Sequence, residues 1–165
     1  MIGVFAIATI VALALQTTLT RLLPFEVLMP NLALILTVTL GLRHYSAAAA
    51  LMAFGIGYAA DTFSGTQLGL NAALFTLVFI LTYWASRVSL SNKSGLGVIA
   101  TFIGVVLVDF GNVLSADWKR SGNFGQAVPA ILAQATVTAV CAPMVFGLMA
   151  GATRLVGLRQ RSLRE

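Results

Sequence analysis

The sequence departs from ordinary membrane composition at one stretch, residues 61–71, which reads DTFSGTQLGLN. This stretch places an acid, two glycines, amides and three hydroxyl groups between two apolar runs. Lipid offers no hydrogen-bonding partner to main-chain N–H and C=O groups, so a break here must be covered by protein or open to water. The stretch therefore indicates a structured site, around which we interpret the rest of the chain.

The composition places the chain in the membrane. Of its 165 residues, 59% are hydrophobic and only 9% are charged, and the mean hydropathy is +0.95. Such a chain cannot cover itself with a soluble surface. Its length suits five or six spans of about 20 residues each, which leaves no room for a soluble catalytic domain. We therefore predict an all-α integral membrane protein with one transmembrane domain.

The apolar runs predict a bundle of six transmembrane helices. Their approximate ranges are 2–20, 27–42, 46–60, 70–86, 96–115 and 129–152, followed by a basic tail at 153–165. Pro30 falls in the first turn of the second helix, where proline is tolerated, and Pro143 predicts a kink in the sixth. The third helix would be only about 22 Å long against a hydrocarbon core of about 30 Å. Either the membrane is thin there, or Asp61 lies below its surface.

Small residues predict where helices approach closely. Ala49, Ala53 and Gly57 recur every fourth residue and lead to Asp61, so they form one shallow ridge that can contact a neighbouring helix. Gly147 and Gly151 form a second small pair, for which we expect packing within the chain.

The basic residues predict the orientation. Arg43, Arg87, Lys93 and the tail arginines Arg154, Arg159, Arg161 and Arg164 would lie on one side, against Arg21, Lys119 and Arg120 on the other. The larger group faces the cytoplasm under the positive-inside rule. Both termini would then be cytoplasmic, and the break at Asp61 would open toward the outer face. The basic tail suits anionic membrane lipid and not nucleic acid.

Two acids, Asp61 and Asp109, fall inside the predicted membrane region at similar depth. A carboxylate in the middle of a span costs about 2.5–3.5 kcal/mol, so each needs a partner or a proton. Arg21 is the best-placed counter-charge. Alternatively, Asp61 accepts hydrogen bonds from the N–H groups of Phe63 or Ser64 and caps the next helix.

Asp109 has fewer local explanations than Asp61. Only Asn112 could cap it locally, and contact with Arg21 and contact with a ligand both stay open.

Paired intramembrane acids are also typical of aspartyl proteases. However, GYAA at 57–60 lacks the Gly-x-Gly pattern that precedes the catalytic Asp in presenilin-like and prepilin peptidases. His44 is the sole histidine and Cys141 the sole cysteine, so no Ser/His pair and no thiolate metal site can be assembled. We predict no catalytic residue, no metal and no cofactor.

The polar motifs resemble those of the rod shape-determining protein MreD family. They are Pro30-Asn31 opening the second helix, Gly41-Leu42-Arg43 at its end, Asp61-x-x-Ser64-Gly65-x-x-Leu68-Gly69, and Val108-Asp109. These motifs cover about half of the chain, from Pro30 to Leu114, and the long Asp-Ser-Gly-Leu-Gly element is the most specific. The N-terminus lacks the basic leader that some relatives carry.

The resemblance implies a function that the composition alone does not. MreD-like proteins belong to the bacterial elongation machinery in the cell inner membrane, where they act with MreC, MreB and RodA with its class B transpeptidase. The implied function is a non-catalytic scaffold that binds MreC in the membrane and so contributes to rod shape and to control of peptidoglycan synthesis. The implied fold is similar to the six-helix substrate-binding component of energy-coupling-factor transporters.

On this reading, the two acids and the residues around the break shape an outward site that fixes the helix arrangement MreC recognises. That site comprises Asp61, Ser64, Gly65, Leu68, Gly69 and Asp109, with Pro30 and Asn31 nearby in the motif order. The alternative is a transporter subunit that binds a small, vitamin-like molecule in an outward pocket.

Overall fold

The computed structural model describes residues 2–22, 29–43, 46–64, 67–88, 93–117 and 124–162. It describes side chains for residues 7–16, 18, 29–43, 46–64, 67–87, 95–115 and 128–152. These ranges contain six α-helices and no strand: α1 (Ile2–Leu22), α2 (Leu32–Arg43), α3 (Ala47–Ser64), α4 (Leu70–Val88), α5 (Lys93–Asp117) and α6 (Phe124–Ser162). The all-helical prediction is confirmed for this part of the chain.

Helix α2 lies at the centre of the bundle. All ten residues from Ala33 to Leu42 are buried, and α2 contacts each of the other five helices. A helix that is apolar on every side is expected to be buried all round. Leu34 and Val38 pack into one core cluster, and Leu36 and Leu40 into a second. The remaining helices are thus arranged around α2.

The small-residue ridge on α3 packs against α4. Ala49, Ala53, Gly57 and Asp61 are all buried, so the predicted ridge is confirmed. A Cβ atom at Gly57 would lie only 2.5 Å from the carbonyl oxygen of Asn71. Glycine is therefore what allows the two main chains to approach this closely.

The outward surfaces of the bundle are apolar. On α4, Leu77, Ile80, Leu81 and Trp84 follow helical spacing and are between 42% and 70% exposed. Three helices in the described part of the chain are long and apolar enough to cross a membrane: Leu70–Arg87, Gly95–Ser115 and Val128–Ala152. Shorter apolar helices lie at Ile7–Gln16 and Leu32–Arg43. These surfaces suit contact with lipid chains.

The start of α2 and the end of α3 differ from their predicted positions. Helix α2 begins at Leu32 and not near residue 27, so Pro30 precedes the helix instead of occupying its first turn. Helix α3 continues to Ser64, which gives it a length of about 27 Å. Asp61 therefore lies inside α3 and not beyond its end.

The sixth helix is much longer than predicted. It runs for 39 residues from Phe124 to Ser162, which is about 58 Å. Both Pro129 and Pro143 lie within it, and it continues into the part of the chain that we expected to be a separate tail. Its length exceeds the hydrocarbon core of about 30 Å, so part of α6 must extend beyond the membrane or tilt strongly within it.

The described residues do not show the expected packing of Gly147 and Gly151 within the chain. Both residues are exposed, and a Cβ atom at either position would meet nothing within 4 Å. The close contact between α5 and α6 instead involves Gly97, where a Cβ atom would lie 2.5 Å from a ring carbon of Phe146. The pair failed as a packing signal because it faces away from the other helices.

Candidate functional site

The carboxylate of Asp61 joins the end of α3 to the start of α4. Asp61 is only 1% exposed. Its Oδ2 accepts hydrogen bonds from the N–H groups of Gly69 at 2.9 Å and Ala72 at 3.3 Å, and its Oδ1 accepts one from Asn71 at 3.1 Å. The first N–H groups of a helix lack partners within that helix, and an anion is favoured at this end. Asp61 thus caps α4 from a neighbouring helix.

Asp61 caps the next helix, as the sequence predicted, but it does so with other donors. The prediction named the N–H groups of Phe63 or Ser64. The donors in the structure come from residues 69–72 because α3 continues past Asp61 and the chain turns only afterwards. The proposed counter-charge, the side chain of Arg21, lies outside the described side chains.

Glycine is required at the turn before α4. Gly69 has a φ of +94°, in the left-handed region where other residues are strained. Its carbonyl oxygen accepts a hydrogen bond from the N–H of Ala73 at 3.0 Å, while its own N–H donates to Asp61. Gly69 therefore starts the helix that Asp61 caps.

Asn71 extends the connection to α5. It is 6% exposed, and its side-chain oxygen accepts a hydrogen bond from Nδ2 of Asn112 at 3.0 Å. Its main-chain N–H donates to Asp61. A polar chain thus runs from α3 through α4 to α5. Asn112 was the candidate local cap for Asp109, but its amide nitrogen donates to Asn71 instead.

Asn31 performs a similar role for α2. Its Oδ1 accepts a hydrogen bond from the N–H of Leu34 at 3.1 Å, which is the geometry of a helix N-cap. Its own N–H donates to Oγ1 of Thr138 on α6 at 3.2 Å. Asn31 therefore starts α2 and ties that start to α6, while Pro30 is half-buried just before it.

A cavity of about 420 Å³ opens among these polar groups, and residues on or immediately before all six helices line it. Leu13, Phe75 and Val108 supply buried apolar wall. The polar lining consists of Gln16, Asn31, Ser64, Asn71, Asp109, Asn112 and Gln134.

Three buried oxygen atoms in this lining have no hydrogen-bond partner among the described residues. They are Oε1 of Gln16, Oδ2 of Asp109 and Oδ1 of Asn112. Most buried polar atoms in folded proteins are hydrogen-bonded, so unpaired ones require an explanation. The three side chains that carry these oxygens all line the same cavity.

The residues predicted for the site have different places in the structure. Asn31, Asp61 and Gly69 make hydrogen bonds that hold helices together. Ser64 and Asp109 line the cavity, and Leu68 is 69% exposed beside it in sequence. Gly65 lies outside the described residues.

Sequence reasoning missed Gln16, Phe63 and Gln134 as lining residues. Gln16 and Gln134 are isolated amides in apolar helices, and that isolation was the available signal, because a polar group in a span usually faces the bundle interior.

The cavity has no metal-binding constellation in the described side chains. No group of three His, Cys, Asp or Glu residues is found there that could hold a metal ion. Cys141 is a free, half-buried thiol on α6. The described lining offers one carboxylate together with amide and hydroxyl groups that can both donate and accept hydrogen bonds.

No protein-family model, no curated protein and no solved structure matches this chain.

Proposed function

We propose that this chain is a non-catalytic scaffold of the bacterial cell-wall elongation machinery, of the MreD type, and that it binds MreC directly in the inner membrane. The proposal includes a six-span bundle similar to the substrate-binding component of energy-coupling-factor transporters, with both termini in the cytoplasm. MreB and RodA with its class B transpeptidase belong to the larger complex. Its role is to maintain rod shape and regulate peptidoglycan synthesis.

The observation that carries the proposal is the engagement of Asp61. Both of its carboxylate oxygens accept hydrogen bonds from main-chain N–H groups of residues 69–72. A general base must reach a proton on its substrate, and this buried carboxylate is committed to holding α3 against α4. Such use of an intramembrane acid favours an architectural role.

Asp109 supports the same conclusion. An aspartyl protease requires two carboxylates that share a proton. Oδ2 of Asp109 has no hydrogen-bond partner among the described residues, so it does not share a proton with Asp61 through that oxygen. The geometry therefore favours a scaffold over a membrane protease.

The corner between α3 and α4 offers a contact surface for a partner. Phe63 is 65% exposed and Leu68 is 69% exposed, and the polar residues Thr62, Ser64 and Gln67 are exposed around them. Exposed large apolar side chains with a polar rim are typical of protein interaction sites. The hydrogen bonds of Asp61 hold this corner in shape, so a partner would meet a preorganised surface.

Co-purification with MreC from detergent tests the proposal. We expect Leu68→Ala to reduce recovery of MreC about ten-fold, the effect of losing roughly 1.4 kcal/mol of binding free energy. Leu51→Ala is the matched control, since Leu51 on α3 is 72% exposed but lies outside the corner. Equal recovery with both folded variants would remove the corner from the interaction, and absence of MreC from the wild-type preparation would remove the scaffold itself.

A second candidate function is a small-molecule-binding subunit of a membrane transporter. The cavity of about 420 Å³ with a mixed polar and apolar lining favours it, because its size falls within the range of small-molecule sites. A native mass spectrum of the purified protein discriminates the two. A stoichiometric vitamin-like molecule would favour the transporter subunit and count against the scaffold.

A further inference from the structure

Three side chains that line the cavity between the six helices have an unpaired oxygen. Asp109, Asn112 and Gln16 line it, and their buried atoms Oδ2, Oδ1 and Oε1 have no donor among the described residues. An ionised carboxylate has acceptor sites only, and an amide oxygen accepts as well. A ligand that suits these three atoms must bring N–H or O–H groups.

The charge of the cavity lining narrows the class of ligand that the cavity can bind. Among the described lining residues, Asp109 is the only ionisable one, and none is a lysine or an arginine. A carboxylate in a membrane span is unfavourable unless a partner compensates its charge or a proton neutralises it. A positively charged ligand would supply that compensation. A primary ammonium group combines a positive charge with three donors.

The size and the lining of the cavity suit an occupant larger than a bare ion. The cavity volume of about 420 Å³ suits a small organic molecule. Leu13, Phe75 and Val108 form buried apolar wall, against which a short alkyl chain can pack. The lining thus matches a molecule with an ammonium head and an apolar stem.

The entrance is at the end of α3. Phe63 and Ser64 line the cavity and are exposed. They adjoin the break between α3 and α4, which the proposed orientation places at the outer interface of the membrane. Both soluble amines and lipid headgroups are present at that depth.

We propose that this cavity binds a primary ammonium group, from a small amine or an aminophospholipid headgroup, with Asp109, Asn112 and Gln16 as acceptors. Phe63 and Ser64 belong both to the lining of this cavity and to the proposed corner for MreC, but the three proposed acceptors do not belong to that corner, and MreC is absent from the binding experiments. The test of the cavity therefore does not depend on the scaffold proposal, and either can fail alone.

Three ligands of similar size distinguish the effect of a ligand's positive charge from the effect of its hydrogen-bond donors. The full chain in detergent is titrated with pentylammonium, pentyltrimethylammonium or pentanol, and the midpoint of thermal unfolding is followed. We expect only pentylammonium to raise the midpoint, because the trimethyl compound lacks N–H donors and the alcohol lacks charge. Equal stabilisation by all three would show simple partitioning and overturn the proposal.

Substitutions of lining residues test whether pentylammonium binds in the cavity. Asp109→Asn should weaken the apparent affinity for pentylammonium at least ten-fold, whereas Gln16→Glu, which adds a second carboxylate, should strengthen it several-fold. Thr101→Val is the control on α5, since this buried hydroxyl donates to the carbonyl oxygen of Gly97 in its own helix. Wild-type affinity in both Asp109→Asn and Gln16→Glu would overturn the proposal. If Asp109→Asn does not fold, Gln16→Glu alone still tests it.

Native mass spectrometry in the presence of equal amounts of phosphatidylethanolamine and phosphatidylcholine shows whether the bound ammonium group comes from a lipid or from a soluble amine. Preferential retention of phosphatidylethanolamine that Asp109→Asn abolishes assigns the headgroup, and a pentylammonium effect without lipid preference assigns a soluble amine. Arg21→Gln provides the final check. If the variant binds pentylammonium and the wild type does not, the chain fills the cavity with its own arginine, and the proposal is wrong.

Discussion

Gly57 and Gly55 lie two residues apart on α3, and they differ in whether a Cβ atom would fit there. A Cβ atom at Gly57 would lie 2.5 Å from the Asn71 carbonyl oxygen and 2.6 Å from the Ala72 Cα. These are main-chain atoms that cannot move aside without shifting α4. Gly57→Ala should therefore lower the free energy of unfolding by about 1–3 kcal/mol, measured by denaturant titration in detergent.

Gly55→Ala is the control for that substitution. A Cβ atom at Gly55 would meet nothing within 4 Å, and alanine favours the helix more than glycine does. We expect its stability to equal or slightly exceed that of the wild type. Equal losses in the two variants would mean that α3 and α4 do not meet at Gly57.

The two intramembrane acids should respond oppositely to the same substitution. Asp61→Asn replaces one acceptor oxygen by an NH₂ group that faces main-chain donors, so stability should fall by about 1–3 kcal/mol. Asp109→Asn removes a charge whose Oδ2 has no partner among the described residues, so stability should stay unchanged or rise. Unfolding of both variants without added amine measures the difference. A larger loss at Asp109 would contradict the assignment of the structural role to Asp61.

At the level of the helices, Asn31 provides a test of how α2 starts. Asn31→Ala removes the N-cap of the central helix and should cost about 0.5–2 kcal/mol. Asn31→Asp keeps an acceptor at the same place and should retain most of that stability. If the Asp variant is as unstable as the Ala variant, the side-chain oxygen does not cap α2. Helicity by circular dichroism accompanies the unfolding measurement.

The sequence predicted helix existence better than helix ends. Ala49, Ala53, Gly57 and Asp61 lie on the buried face of α3, because their spacing alone determines which face they share. The ends depend on contacts between distant residues. The donor to Thr138 lies 107 positions away in the chain, and the cap of α4 comes from the preceding helix, so local signals could not place either.

At the level of the whole molecule, cysteine labelling tests the proposed orientation. Cys141 is the only cysteine, so Cys141→Ala gives a background without thiols. A new cysteine at Leu68 should react with an impermeant maleimide from outside the cell, and one at Ser162 only after the membrane is opened. Mass shifts on gels report the labelling. The reverse pattern would place the termini and the corner on the opposite sides.

The cavity was the least predictable part of the molecule. Its lining comes from all six helices, so it exists only once they are packed. The sequence pointed to Asp109 and Ser64 because an acid and a polar break stand out in apolar segments. It did not indicate that Gln16 on α1 and Asn112 on α5 would line the same cavity.

The capping of Asp61 by the helix that follows it has a consequence for how the protein enters the membrane. Three main-chain donors to its carboxylate follow it by only 8 to 11 residues along the chain. The hairpin of α3 and α4 thus carries three groups that solvate its own acid. A ribosome-bound insertion machine could release this pair into lipid as one unit before the C-terminal helices emerge.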